Sequence, residues 1–272
     1  MDILFAYIVY PGLIPTAVLT VLFGLLVTKR RPVMPPDGLR TLFLTVDGFA
    51  AFLSIMLAVS AMMYMPWPYN SAYTTIAGPL LMWAAMEAAY LIPSLVAQTS
   101  PSPLIVRGAA RSLQIGLAGR IVIWCAVGAL YWSEQNWSIS HLPATLLALV
   151  AALLAFPAAI GLGMFRNDTA LTGVMTTGLD LSTVAMMQIA ADVRATVLIA
   201  AITTRLIPEQ LISNGYVAML AIVATTVLCM AILRFLIRNQ PFATLAAALR
   251  WCWWRALPPA MLALLYLQFV VS

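Results

Sequence analysis

The stretch from Phe165 to Leu206 reads FRNDTALTGVMTTGLDLSTVAMMQIAADVRATVLIAAITTRL. A polar segment leads into an apolar run long enough to cross a bilayer, and that run carries Asp192 and Arg194 near its middle. Charged side chains inside such a run are costly, and they normally face a bundle interior, a water path or each other. Two interpretations stay open here: a role in charge transfer, or a structural Asp–Arg pair that fastens this helix to a neighbour.

The composition of the whole chain indicates a membrane protein. Its 272 residues are 63% hydrophobic and 8% charged, and apolar runs of bilayer length recur from end to end. The polar segments between these runs are too short to form a separate soluble domain. The sequence therefore predicts an all-α polytopic membrane protein in which residues 1–272 form a single integral membrane domain.

The apolar runs predict about eight transmembrane helices. Their approximate bounds are 3–28, 41–65, 77–98, 112–132, 143–165, the run that ends at 206, 216–237 and 256–271. The loops after predicted helices 1, 3, 5 and 7 carry almost all of the lysine and arginine, whereas the opposite loops carry only Arg205. The positive-inside rule then places both termini on the outer side of the cell (cytoplasmic or inner) membrane.

Residue types disfavour several kinds of site. Arginines in short loops account for the net charge of +5, so it does not indicate nucleic-acid binding. Three cysteines without C-x-x-C spacing and a single histidine argue against an iron–sulfur cluster, a haem or a metal held by this chain. Neither a Ser/His/Asp nor a Cys/His set is visible, so we predict no catalytic residue and no bound cofactor.

Five ionisable side chains lie within the predicted helices: Asp47, Glu87, Arg120, Asp192 and Arg194. Buried carboxylates with raised pKa values are what a proton path needs, because each group must bind and release protons near the working pH. The alternative is a set of buried ion pairs that orders helix packing. Because arginine stays protonated, Arg120 and Arg194 are assigned to structural ion pairing, with Glu87 as the expected partner of Arg120.

A second group of charges faces the predicted cytoplasmic side. A basic face of this kind suits docking of a soluble partner with an acidic surface, although arginines that only set the topology give the same pattern. The candidate docking residues are Arg31, Arg40, Arg107, Arg111 and Arg166.

Four groups of short motifs follow one another along the chain. They are Arg31-Pro32, Pro36-Asp37-Gly38 and Asp47-Gly48; the segment SPLIVRGAARSLQ from Ser102 to Gln114; Arg166, Asp168, Leu171, Gly173, Asp180 and Ser182 before Ala190-Ala191-Asp192-Val193-Arg194; and WRALPPAML from Trp254 to Leu262. In this order they resemble the membrane subunit that complex I, as its subunit 1, shares with the energy-converting membrane-bound hydrogenases.

The resemblance implies a membrane anchor in an ion-translocating redox complex, such as an NADH–quinone oxidoreductase or a membrane-bound hydrogenase. Such a subunit would dock a soluble arm that carries iron–sulfur clusters and link it to antiporter-like membrane subunits. The residues expected to couple protons or charge are Asp47, Glu87, Asp180 and Asp192.

The sequence departs from that family in its acidic residues. Counting from Arg111, the family's helix-4 glutamate falls at Arg120, and the acidic residues before the sixth helix are fewer. Both departures argue against quinone binding and against proton translocation. The alternative function is a stand-alone secondary transporter of a small ion or metabolite, with a substrate site around Glu87, Asp192 and Arg194.

Overall fold

The structure of the protein is a computed structural model, which describes residues 2–29, 45–70, 77–135, 137–166, 179–207, 212, 214–238 and 241–271. In chain order its α-helices are α1 (Asp2–Ile8), α2 (Leu13–Phe23), α3 (Val46–Met63), α4 (Gly78–Gln98), α5 (Pro103–Gln135), α6 (Leu142–Ile160), α7 (Leu181–Thr203), α8 (Gly215–Ile237), α9 (Leu245–Trp251) and α10 (Leu257–Tyr266). Turns of π-helix at Gly24–Thr28, Cys252–Ala256 and Leu267–Val271, and 3₁₀ turns at Ile139–His141 and Gly163–Phe165, extend or join them.

Seven helical segments of the described chain are long and apolar enough to cross a membrane. They are Leu4–Thr28, Val46–Met63, Gly78–Gln98, Pro103–Glu134, Ile139–Phe165, Leu181–Thr203 and Gly215–Ile237. The chain is therefore an all-α, multi-pass membrane protein, which confirms the predicted fold class. The predicted eighth helix, 256–271, lies inside a helical run from Leu245 to Val271 that is not among these seven. The orientation of the termini stays a prediction.

The longest helix corrects a predicted boundary. The segment before residue 112 was expected to be a loop, but α5 begins at Pro103 and runs for 33 residues. Proline favours the first position of a helix, because its missing N–H is not needed there and its fixed φ suits the helix. Arg107 and Arg111 therefore lie on a helix, and α5 is longer than the roughly 20 residues that a bilayer requires.

The first predicted helix, 3–28, is interrupted between Ile8 and Leu13. Pro11 contributes no backbone N–H, so a regular helix cannot pass through this point without losing a hydrogen bond. Gly12 then approaches α1 so closely that a β-carbon on it would lie 2.0 Å from the carbonyl oxygen of Tyr7. Its amide donates to the carbonyl of Ala6 at 2.9 Å. Together the two residues fix the break.

Contacts divide the chain into two compact units. The first unit comprises residues 1–113 and 167–200, and the second comprises residues 114–166 and 201–272.

Helices α3 and α4 pack along each other in the first unit, and α7 joins them. Ala51 of α3 packs in one cluster with Met186 and Ala190 of α7, and small side chains of this kind allow helices to approach closely. The hydroxyl of Tyr7 donates to the carbonyl of Met56 at 3.1 Å and so ties α1 to α3. This three-helix arrangement holds the predicted carboxylates of the first unit.

The second unit is organised around α6, which packs against α10 and the π turn before it. The backbones of α5 and α6 come into direct contact at Gly119, where a β-carbon would lie 2.5 Å from the backbone nitrogen of Ala159. An apolar cluster that includes Ile115, Ala158 and Phe165 closes one end of this packing.

Candidate functional site

The middle of the first unit contains a buried polar cluster around Arg194. Its Nη1 donates hydrogen bonds to the hydroxyl of Ser54 at 2.7 Å and to the carbonyl of Ala89 at 3.3 Å. The Ser54 hydroxyl donates in turn to the same carbonyl at 2.7 Å. The Arg194 guanidinium also lies over the Tyr90 ring, 5.4 Å from its centroid. Helix α7 is thereby joined to α3 and α4 near the centre of all three helices.

The sequence explains why this carbonyl is free to accept. Ala89 lies four residues before Pro93, whose nitrogen carries no hydrogen, so the usual helical donor to the Ala89 carbonyl is missing. Ser54 is fully buried, and the unit supplies the missing donors from α3 and α7. A proline inside α4 thus creates the acceptor that Arg194 and Ser54 share.

The chemistry of this cluster favours positioning over proton exchange. A guanidinium stays protonated under all ordinary conditions and cannot relay a proton itself. A hydroxyl, a carbonyl and an aromatic face partly replace the water that the buried charge has lost. These contacts agree with the packing role predicted for Arg194, and its assignment to an ion pair stays a prediction.

Asp192 lies two residues before Arg194 on α7 and is half-buried. Side chains two positions apart point to nearly opposite sides of a helix, so the two do not face each other. Asp192 therefore meets neighbours other than those of the Arg194 cluster. Its backbone carbonyl accepts a hydrogen bond from the Thr196 hydroxyl at 2.8 Å.

Glu87, also half-buried, lies on α4 three residues before Tyr90. Residues at this spacing are neighbours on one helix face. Glu87 therefore lies beside the position from which Tyr90 contacts Arg194. The structure brings this predicted carboxylate close to the middle of α4, as a charge-coupling role requires.

The other two predicted carboxylates lie at helix starts. Asp180 precedes α7, and its carboxylate accepts a hydrogen bond from the Thr183 amide at 3.0 Å. Hydrogen bonds from the Thr183 side chain and backbone hold the pKa of the exposed Asp180 carboxyl below its ordinary value. Asp47 lies in the first turn of α3, where a negative charge is favoured by the helix dipole.

The two helix starts lie next to each other. Thr45, the N-cap of α3, has its hydroxyl 3.4 Å from that of Thr183 in the first turn of α7. Asp47 and Asp180 are therefore brought to the same end of the first unit. Capping explains both residues without a proton-transfer role, whereas Glu87 and Asp192 lie within helices and have no such explanation.

The candidate docking arginines have different surroundings. Arg31 and Arg40 lie outside the described residues. Arg107 is exposed and Arg111 is half-buried on α5, and Arg166 is exposed directly after the 3₁₀ turn that follows α6.

Arg120 of the second unit is buried, with only 3% of its surface exposed. Its Nη1 occupies the space beside Gly116: a β-carbon on that glycine would lie 3.0 Å from Nη1 and 3.2 Å from the carbonyl oxygen of Ala159. Ala159 belongs to the last turn of α6, where the negative end of the helix dipole stabilises a cation. The pairing of Arg120 with Glu87 stays a prediction.

Sequence reasoning missed a buried ion pair. Arg205, just after α7, donates to the carboxylate of Glu134 in the last turn of α5, and both side chains are largely buried. The Arg205 guanidinium also lies 4.8 Å from the centroid of the Tyr131 ring. Glu134 was expected in a polar loop. Its position three residues after Tyr131, on one helix face, is the signal that would have placed it on α5.

No group of three or more histidine, cysteine, aspartate or glutamate side chains is arranged to hold a metal ion within the described residues.

Comparison with known proteins gives a structural relative only. No protein-family model matches the sequence, and no curated protein sequence matches it. The fold is similar to that of a chain in the membrane-bound sulfane sulfur reductase (MBS), an archaeal respiratory membrane complex, with a TM-score of 0.69 and 18% sequence identity. The similarity covers 97% of this chain and 96% of that chain.

Proposed function

We propose that this protein is a membrane anchor subunit of a complex-I-like or membrane-bound-hydrogenase-like redox complex. It would hold a soluble iron–sulfur arm at one membrane face and link that arm to antiporter-like membrane subunits. The cell (cytoplasmic or inner) membrane is its proposed location, with both termini on the outer side. The chain itself would bind no metal cluster, and a quinone site is not part of the proposal.

The observation that carries this proposal is the match over nearly the whole length of both chains. A chain of an archaeal respiratory membrane complex has the same fold from one end to the other, with 97% and 96% of the two chains covered. The motifs that resemble the complex I and hydrogenase membrane subunit are likewise spread from Arg31 to Leu262. Fold and motif order thus support the same kind of assembly independently of each other.

The buried charges supply the second line of support. An inert anchor has no need of Glu87 and Asp192 within bilayer-spanning helices, where carboxylates are costly. Arg194 fixes the packing of the three helices from which these carboxylates project. We therefore assign proton or charge coupling first to Glu87 and Asp192, and only then to the helix-start residues Asp47 and Asp180.

Purification of the tagged chain from its native membranes in mild detergent tests the assembly. We expect it to migrate on a native gel far above its mass of 29.4 kDa, together with antiporter-like and iron–sulfur subunits identified by mass spectrometry. A particle that contains this chain alone and transports a small ion or metabolite in liposomes would instead establish the transporter alternative.

The substitution Asp192→Asn tests the coupling role within the assembled complex. It removes the titratable proton while keeping nearly the same shape, so we expect loss of coupled turnover with an unchanged native-gel mass. The matched control is Asp180→Asn, at which the asparagine still caps α7 and turnover should persist. Normal coupled turnover in the Asp192→Asn complex would remove Asp192 from the mechanism.

A further inference from the structure

The second unit has a small apolar cavity where α6 and α8 end. Its volume is about 60 Å³, and its walls include Leu154, Pro157, Phe165, Leu236, Ile237 and Trp251. The walls come from the C-terminal parts of two bilayer-spanning helices and from the last residue of α9. The cavity therefore lies near one surface of the membrane, and its size suits a short length of hydrocarbon chain.

Arginines follow or contact the residues that form these walls. Arg238 directly follows Ile237 and ends α8. The Arg255 guanidinium lies over the Trp251 ring, 4.9 Å from its centroid. Both arginines are exposed. The cavity thus has an apolar interior and permanent positive charges at the residues next to its walls.

The surrounding sequence contains no compensating acidic group. Residues 210–272 include four arginines and neither aspartate nor glutamate, and residues 135–166 likewise lack both acids. These two segments supply every wall of the cavity. A set of arginines with no carboxylate in the same segments leaves the charge to be balanced from outside the chain.

Tryptophan places this region at the depth of lipid headgroups. Trp253 and Trp254 are exposed beside the cavity segment, at 43% and 78% of their surface. Exposed tryptophans of membrane proteins concentrate at the membrane–water interface, because the ring is apolar and its N–H is polar. The Nε1 of Trp251 is held by the Leu154 carbonyl at 2.9 Å, so this ring is a fixed wall of the cavity.

From these observations we propose that the cavity and its arginines form a binding site for an anionic phospholipid. The headgroup phosphate would contact Arg238 and Arg255, and part of one acyl chain would enter the cavity between Leu236 and Trp251. Basic residues beside apolar surfaces at a membrane face are the usual chemistry of anionic lipid recognition. This site is independent of the proposed function, because it requires only the membrane and the second unit.

Native mass spectrometry of the delipidated complex, titrated with phosphatidylglycerol or phosphatidylcholine, tests the site. We expect phosphatidylglycerol to be retained in preference to phosphatidylcholine. The double variant Arg238→Gln/Arg255→Gln should bind phosphatidylglycerol roughly 25-fold more weakly, at about fivefold for each arginine removed. The control Arg238→Lys/Arg255→Lys keeps both charges and should retain most of the affinity.

A second variant tests the acyl chain separately from the headgroup. Leu236→Phe adds volume inside the cavity without changing any charge, so it should weaken binding of long-chain phosphatidylglycerol. Equal retention of both lipids by the native protein, or unchanged affinity in the glutamine double variant, would overturn the proposal. Displacement of the lipid by millimolar inorganic phosphate would also overturn it, because the apolar contacts would then contribute nothing.

Discussion

The guanidinium of Arg194 lies 2.7 Å from the hydroxyl of Ser54, and this hydrogen bond joins the middle of α7 to the middle of α3. Both groups also donate to the carbonyl of Ala89, which Pro93 has deprived of its helical donor. An intramembrane arginine and an intrahelical proline therefore depend on each other. Each would be costly without the other, since a buried charge and a buried carbonyl both need partners.

The first prediction concerns the shared carbonyl. Ser54→Ala removes its nearer donor, at 2.7 Å, and should lower the free energy of unfolding by about 1–3 kcal/mol, the usual cost of a buried group left poorly paired. In the Pro93→Ala background the helix supplies its own N–H to Ala89, so the same substitution should cost measurably less. Thermal unfolding of the four proteins of this cycle in detergent gives the coupling between Ser54 and Pro93. Equal costs in both backgrounds would show that Pro93 does not create the acceptor.

The second prediction concerns the buried pair of the second unit. Either Glu134→Gln or Arg205→Gln leaves one largely buried charge without its partner, so each should destabilise the protein by about 3–5 kcal/mol. The double variant should cost less than the sum of the two, because it leaves no uncompensated charge. Strict additivity in thermal unfolding would mean that the two residues act separately.

The third prediction concerns pH and Asp180. Because its pKa is lowered in the folded protein, the carboxylate contributes stability above its unfolded pKa of about 3.9, and this stability is lost as the pH falls through the lower folded value. Asp180→Ala should therefore increase hydrogen exchange at the Thr183 and Val184 amides at neutral pH, since Asp180 accepts from both. Asp180→Asn should preserve much of the protection, because asparagine also caps helices. Equal exchange in all three proteins at neutral pH would exclude the cap.

The sequence predicted most of the helices because bilayer-spanning runs are long and almost purely apolar. The bounds expected for 77–98 and 216–237 differ by one residue from those of α4 and α8 at their starts. The errors come from proline. Pro103 was treated as part of a loop although it begins α5, and Pro11 was expected inside a continuous helix although the chain breaks there. Proline either starts or interrupts a helix, and only its tertiary neighbours decide between the two.

The candidate site was predictable in its residues but not in its contacts. Arg194 was identified because a charge in an apolar run needs an explanation, whereas nothing in the sequence connects Ser54 with Ala89, 35 residues later. The pair of Glu134 and Arg205 was missed for a related reason: each lies at the end of a helix, where charges are common and usually exposed. Long-range partners depend on helix packing, which hydropathy does not encode.

The last prediction tests the contact between α5 and α6. Gly119→Ala places a β-carbon 2.5 Å from the backbone nitrogen of Ala159, so the two helices must separate. We expect a loss of about 1–3 kcal/mol in the free energy of unfolding, as for other overpacked cores. The matched control lies on the same helix: a β-carbon at Gly128 meets nothing within 4 Å, so Gly128→Ala should stabilise α5 by roughly 0.5–1 kcal/mol through helix propensity. Opposite shifts in the thermal midpoint of the two variants would confirm the close crossing, and a stabilising effect of Gly119→Ala would contradict it.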